Sequence, residues 1–247
     1  HMGALLGAAA MPAAAATGPL RAGPDVYQSI GVEPVINCRG TFTIIGASIE
    51  LPEVRAAMDA AAQHFVQLDE LAQGVGQRLA ELTGAEWGMV SAGCAAGLKH
   101  VAAACVSGGN PEKLLRIPNL AGLDKTEVIA PGSSRSVYDH AVRSTGVKMV
   151  EVETLKDLEA AFGPRTAMAT GQVNLAASGN PFTLEQFVAA AHKHGVPVVM
   201  DVADRLPLVP NPYLSRGVDL VGYSGGKIIR GPQTAGMLLG RKDLVAA

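Results

Sequence analysis

Three places in the sequence hold residues whose type and spacing could do chemistry. Lys227 lies in "YSGGKIIRGPQTAG", Tyr223 to Gly236, with four glycines, one proline and no acid, directly after the apolar run "VDLVGY". A lysine amine held beside a carbonyl compound can form an imine once its charge is suppressed, whereas a lysine on a solvated loop does nothing. Asp201 ends "PVVMD", a carboxylate after four apolar residues. Such a group is costly to bury without a partner, so it either meets a cationic group or a metal, or it caps a turn in water. The third place is "SAGCAAG", Ser91 to Gly97. Its small side chains let the backbone approach an anion, and a helix starting there would offer free N–H groups. It also suits a ligand-free tight turn, and it matches neither the GxGxxG nor the Walker A pattern.

The elements around these residues are legible as alternating strands and helices. "WGMVSAG", "TEVIAPG", "VKMVEV", "TAMATGQV", "VPVVMDVA", "VDLVGYS" and "GMLLGR" have strand character. "CAAGLKHVAAACV", "SVYDHAVRSTG", "TLKDLEAAFG" and "TLEQFVAAAHKHG" have helix character, with Thr154 and Thr183 as N-caps and glycines at the ends. Alternation of this kind predicts βαβ units, an α/β fold and a mostly parallel sheet. Ligands bind outside the carboxyl ends of strands in such sheets, where all three places fall. Upstream, "PEVRAAMDAAAQHFVQLDELAQGVGQRLAELTG" is expected to be one helix starting at Pro52 and capped by Gly84. A turn at Gly31 and a short strand at Val35 to Asn37 precede it. Residues 1–24 are an alanine-, glycine- and proline-rich leader, ending in an A-x-A-like series that also fits a signal remnant. The expected organisation is leader 1–24, arm and helix 25–85, and a ligand-binding large domain 86–247. A further C-terminal domain would follow the short strand "GMLLGR".

Composition narrows the function classes. The 247 residues carry a net charge of −2 with no lysine or arginine run, and the aromatic share is 4%. Neither a nucleic-acid footprint nor a base-stacking platform is expected. No apolar run is long enough to span a membrane. Cys38, Cys94 and Cys105 form no metal-ligand pattern with histidine, and Cys105 sits in an apolar helix. His192 and His194 flank Lys193 at a helix end, and His64 and His100 are expected to be partly buried. No metal site is expected.

Taken together, an anion cradle, an aspartate about a hundred residues later and a lysine shortly after resemble pyridoxal-phosphate enzymes of the aspartate-aminotransferase type. The cofactor needs helix-end N–H groups for its phosphate, a carboxylate for its pyridine nitrogen and an amine for its aldehyde. The segments "YQSIGVEPVINCRGTFTIIGAS", "DELAQGVGQRLAELTGAE", "YDHAVRSTG" and "VDLVGYSGGKIIRGPQTAGMLLGRKDLV" resemble the selenocysteine-synthase-like family, covering its arm and large domain. That resemblance implies a three-layer, aminotransferase-like sandwich, with Lys227 bonding the cofactor as a Schiff base and Asp201 facing the pyridine nitrogen. Cys94, Ala95 and Ala96 would lie at the phosphate with Ser224 nearby. Gln233 and Thr234 would complete the site across the interface of a homodimer or larger ring. Ser134, in "SRS", stands where family members usually carry a histidine stacking on the cofactor ring, and Asp204 and Arg205 replace small residues after Asp201.

The activity this implies is a lyase acting on an amino acid or amino sugar acid, with Lys227 as base at Cα and β-elimination following. A selenium transferase on seryl-tRNA and a non-catalytic cofactor-domain remnant with a binding role are the alternatives.

Overall fold

The computed structural model describes residues 23, 25–176 and 180–246; the leader falls outside them save for Gly23. The chain divides into two compact units, His1–Gly40 and Thr41–Ala247. Within the first, a 3-10 turn at Gln28–Ile30 closes on Gly31, whose φ of 78° places it in the left-handed region. The strand expected at Val35 to Asn37 does not form, and Ile36 is 92% exposed. Pro34 has no N–H to give to a ladder, and three residues beside it are short for a strand.

The second unit is a seven-stranded sheet with helices on both sides. In chain order its elements are α1 (Pro52–Ala61), α2 (Leu68–Thr83), β1 (Trp87–Ser91), α3 (Cys94–Ser107), α4 (Pro111–Leu114) and β2 (Glu127–Pro131). There follow α5 (His140–Arg143), β3 (Lys148–Val152), α6 (Leu155–Ala161), β4 (Thr166–Gln172), α7 (Leu184–Lys193), β5 (Val198–Asp201), β6 (Leu220–Ser224), β7 (Gly236–Gly240) and α8 (Lys242–Val245). The strand order is β1-β7-β6-β5-β4-β2-β3. Only β7 runs antiparallel to its neighbours, β1 and β6, so the mostly parallel α/β reading holds.

Strand alternation explains the three layers. Val128, Val199, Leu220 and Leu238 pack on one face with Leu98 and Val101 of α3 and Val142 of α5. Their neighbours Ile129, Met200, Val221 and Leu239 pack on the other with Leu158 of α6 and Phe187 of α7. Strands apolar on both faces are those covered by helices on both sides. The helix starts follow their caps: the Thr154 and Thr183 hydroxyls each accept a hydrogen bond from the backbone N–H three residues on, that of Asp157 and Gln186, whose side-chain oxygens in turn accept one from the cap's own N–H.

Three further expectations need correction. The single helix from Pro52 is two, because residues 62–67 interrupt it. His64, Phe65 and Val66 are poor helix formers in succession, and the chain restarts at Leu68 with Asp69 and Glu70 in the first turn. The "SVYDHAVRSTG" helix is only a 3-10 turn, Val137–Asp139, running into α5. His64 and His100 are both exposed rather than partly buried. At the end of α7, His192 Nε2 lies 2.8 Å from buried Asp219 and the His194 ring stacks on Phe162, and no metal-binding group is found among the described residues.

Candidate active site

The carboxyl ends of β1, β4, β5 and β6 open onto one cavity of about 380 Å³. β1 ends at Ser91, whose hydroxyl donates to the Gly93 carbonyl at 2.9 Å. Gly93 itself, at φ 93°, turns the chain into α3. The first i to i−4 bond is Gly97 N–H to Gly93 O, at 3.1 Å. The N–H groups of Cys94, Ala95 and Ala96 therefore have no intrahelical acceptor and carry the positive end of the helix dipole. Gly236, opening β7, is what permits this cradle: a Cβ there would lie 2.3 Å from Gly93 C and 2.4 Å from Cys94 N.

β5 delivers Asp201 to the same cavity. Its Oδ1 accepts from Ala203 N at 3.1 Å and from the Cys94 thiol at 3.7 Å, which leaves Oδ2 for a ligand. Burial raises the carboxyl above its ordinary range, and the Ala203 N–H and the charge of Lys227 offset only part of that rise.

Lys227 comes from the loop between β6 and β7, which is tied on both sides. Gly225 N donates to Ala235 O at 2.8 Å and Gly231 N to Gly225 O at 2.7 Å. The segment ahead of α1 clamps it from outside: Ser48 Oγ donates to Lys227 O at 2.7 Å, Ser48 N to Gly226 O at 3.0 Å and Leu51 N to Arg230 O at 3.0 Å. Gly226 is needed because a Cβ there would meet Gln233 Cα at 2.3 Å. The lysine ammonium stands 5.9 Å from the centre of the Tyr138 ring.

Of the residues singled out from the sequence, Cys94, Ala95, Asp201, Ser224, Lys227 and Gln233 line this one cavity. Ala96 and Thr234 do not, although Thr234 adjoins Gly93 through its carbonyl. Ser134 is buried behind the cavity, where its hydroxyl donates to Asn174 Oδ1 at 3.4 Å and accepts from Gln172 N at 3.2 Å. Arg135 does not reach the cavity either; it is paired with Asp139 and Glu151. Sequence reasoning missed Tyr138, Ser136, Gln172 and Thr43, all on the cavity wall. Tyr138 had a signal, being the aromatic beside the Ser134 substitution in "SRSVY".

Residues 139–247 match the aminotransferase class-V family model. The chain is 30% identical to a D-glucosaminate-6-phosphate ammonia lyase of Salmonella typhimurium over 91% of its length and 62% of that protein's. It is 34% identical to a 5'-C-glycyluridine monooxygenase-decarboxylase of a Streptomyces species, over 90% of the chain and 57% of that enzyme. Identity to the L-seryl-tRNA(Sec) selenium transferase of Moorella thermoacetica is 30%, over 87% and 50%. The chain thus spans between half and 62% of the length of these relatives. A solved D-glucosaminate-6-phosphate ammonia-lyase superposes with a TM-score of 0.83 at 30% identity, over 90% of this chain and 62% of that one. The resemblance carried by the sequence motifs is borne out over about nine tenths of the chain.

Proposed function

We infer that this chain, similar over about nine tenths of its length to the selenocysteine-synthase-like pyridoxal-phosphate enzymes, carries the cofactor-binding part of a lyase. The substrate class is an amino acid or amino sugar acid. One observation carries the reading: a lysine, a buried carboxylate and an open helix N-terminus converge on a single cavity of about 380 Å³.

The donor set fits the cofactor. The unpaired N–H groups at the start of α3, with Ser224 beside them, suit a phosphate ester. Asp201 Oδ2 suits a protonated pyridine nitrogen, and Lys227 suits an aldehyde. Tyr138 offers the aromatic face that Ser134 cannot, so the serine departure does not leave the cavity without a ring. Pyridoxal phosphate, when bound, supplies an electron sink for charge released at a substrate α-carbon.

The chain's own residues do the rest. Lys227 Nζ, free to swing on its four-carbon stem, takes the proton from the substrate α-carbon and can return it to a departing group. Asp201 keeps a proton on its partner nitrogen, with an ionised carboxylate favoured once a cation replaces water beside it. Gln172, whose amide donates to Ser136 Oγ at 2.8 Å, and Asp204 give the cavity wall polar groups for a hydroxylated substrate. β-Elimination with loss of ammonia is the reaction this supports, in keeping with the ammonia lyase among the relatives.

The outer surface supports a homodimer. No residue of α1 is buried, and Ile44, Ile49, Phe65, Leu68 and Leu71 are exposed around it and α2. An apolar band of that extent is one a second copy would cover. Light scattering should return twice the chain mass; a monomer at micromolar concentration refutes this part.

The test of the site is a titration of the purified protein with pyridoxal phosphate. A visible absorption band should develop, vanish in Lys227→Ala and need more cofactor in Tyr138→Ala. No band at saturating cofactor, or an undiminished band in Lys227→Ala, overturns the reading.

A further inference from the structure

We propose that the Cys94 thiol is a positioning residue for Asp201, holding one carboxylate oxygen so that the other is presented to the cation a ligand brings. The main chain of Cys94 belongs to the helix start that faces the cavity, but its side chain turns inward and is buried. Its Sγ lies 3.7 Å from Asp201 Oδ1, the oxygen that Ala203 N also donates to at 3.1 Å. Two donors on one oxygen stop the carboxylate from rotating and fix where Oδ2 stands.

The niche is built for the thiol. Gly222 of β6 lies opposite, and a Cβ there would be 3.2 Å from Sγ, with Leu238 and Leu98 side chains at 3.5 and 3.8 Å from the same point. The surroundings are apolar, so among the described residues the only hydrogen-bond partner of the thiol is Asp201. This also separates Cys94 from a nucleophile. Burial and the neighbouring Asp201 charge hold the thiol far above its ordinary range, so it stays protonated and donates. Cys38, by contrast, is exposed.

The consequence for a ligand rests on the proposed cofactor, whereas the thiol–carboxylate contact does not, and the experiment separates them. In a Cys38→Ser/Cys105→Ala background one thiol remains, and its S–H stretch is read by infrared difference spectroscopy without cofactor. It should lie below the frequency of a free thiol and move back in Asp201→Asn, since an amide oxygen accepts less strongly than a carboxylate. With pyridoxal phosphate added, Cys94→Ala should bind about 3- to 10-fold more weakly, the scale of one weak hydrogen bond to a charged group. The pH at which the bound cofactor's absorption titrates should shift, and Cys94→Ser should restore most of both. An S–H stretch indifferent to Asp201→Asn, or a Cys94→Ala protein with unchanged affinity and pH profile, overturns the proposal. A shifted stretch in a protein that never binds pyridoxal phosphate supports it while sinking the cofactor reading.

Discussion

Gly236→Ala is the sharpest perturbation of the cradle, because the added atom presses on the Gly93–Cys94 backbone and alters neither Lys227 nor Asp201. Its Cβ would sit 2.3 Å from Gly93 C and 2.4 Å from Cys94 N, about 1.1 Å short of ordinary contact at 3.4 Å. Both neighbours are backbone, so no side chain can swing away; either β7 or the start of α3 must move by about that distance. β7 is hydrogen-bonded on both sides, to β1 and β6, which leaves the helix start to yield. A displacement of about 1 Å in a group that positions a ligand costs up to about 100-fold, and overpacking costs about 1–3 kcal/mol in stability. The dissociation constant for pyridoxal phosphate, read from its absorption, should therefore rise about 10- to 100-fold with the fold retained by circular dichroism. Gly163→Ala, where nothing lies within 4 Å of the added carbon, is the control and should change neither property. A folded Gly236→Ala protein with wild-type affinity would show that the phosphate is not held at the start of α3.

The same geometry sets two further expectations. The Asp201 carboxyl is raised by burial, so the folded state binds its proton more tightly than the unfolded chain does; that contribution is present at low pH and is lost as pH rises through the folded pKa. Asp201→Asn should accordingly unfold at a higher temperature than the parent at pH 7 without cofactor, with the gap closing as pH falls. A gap that widens towards acid would contradict the burial account. On α2, Gly74 faces open space, and Gly74→Ala should stabilise by about 0.5–1 kcal/mol in urea unfolding. At Gly76 the added carbon would meet Trp87 Cε2 at 2.3 Å, so Gly76→Ala should lose about 1–3 kcal/mol. Equal effects at the two positions would mean that α2 does not pack its Gly76 against Trp87 of β1.

Much of the sheet was legible because each strand's apolar run is bounded by caps and glycines, as with Thr154 before α6 and Thr183 before α7. Lys227, Asp201 and the Gly93 turn could be picked out since a charged residue or a helix start at a strand's carboxyl end is unusual on its own terms. Directions of side chains were not legible. Cys94 occupies the expected position, yet its thiol points to Asp201, which depends on Gly222 being bare in a strand 128 residues later. Ser134 reads as a wall residue from its neighbours but is withdrawn by hydrogen bonds to Gln172 and Asn174, contacts set by the pairing of β2 with β4. The break between α1 and α2 has only a faint local cause, residues 62–67, and the faces on either side are exposed in the single chain.

The clamp of Ser48 on Lys227 spans 179 residues of sequence. Closing a loop of that size is entropically unfavourable and slow compared with forming the helices and hairpins between. Lys227 is therefore expected to be among the last groups to reach its place, after both ends of the unit have met across the sheet. A nascent or half-folded chain would present the lysine on a loose glycine loop, without Asp201 or the helix start aligned to it. Capture of a free aldehyde by that immature lysine would then be weak and reversible, and stable loading would mark molecules that have completed the fold.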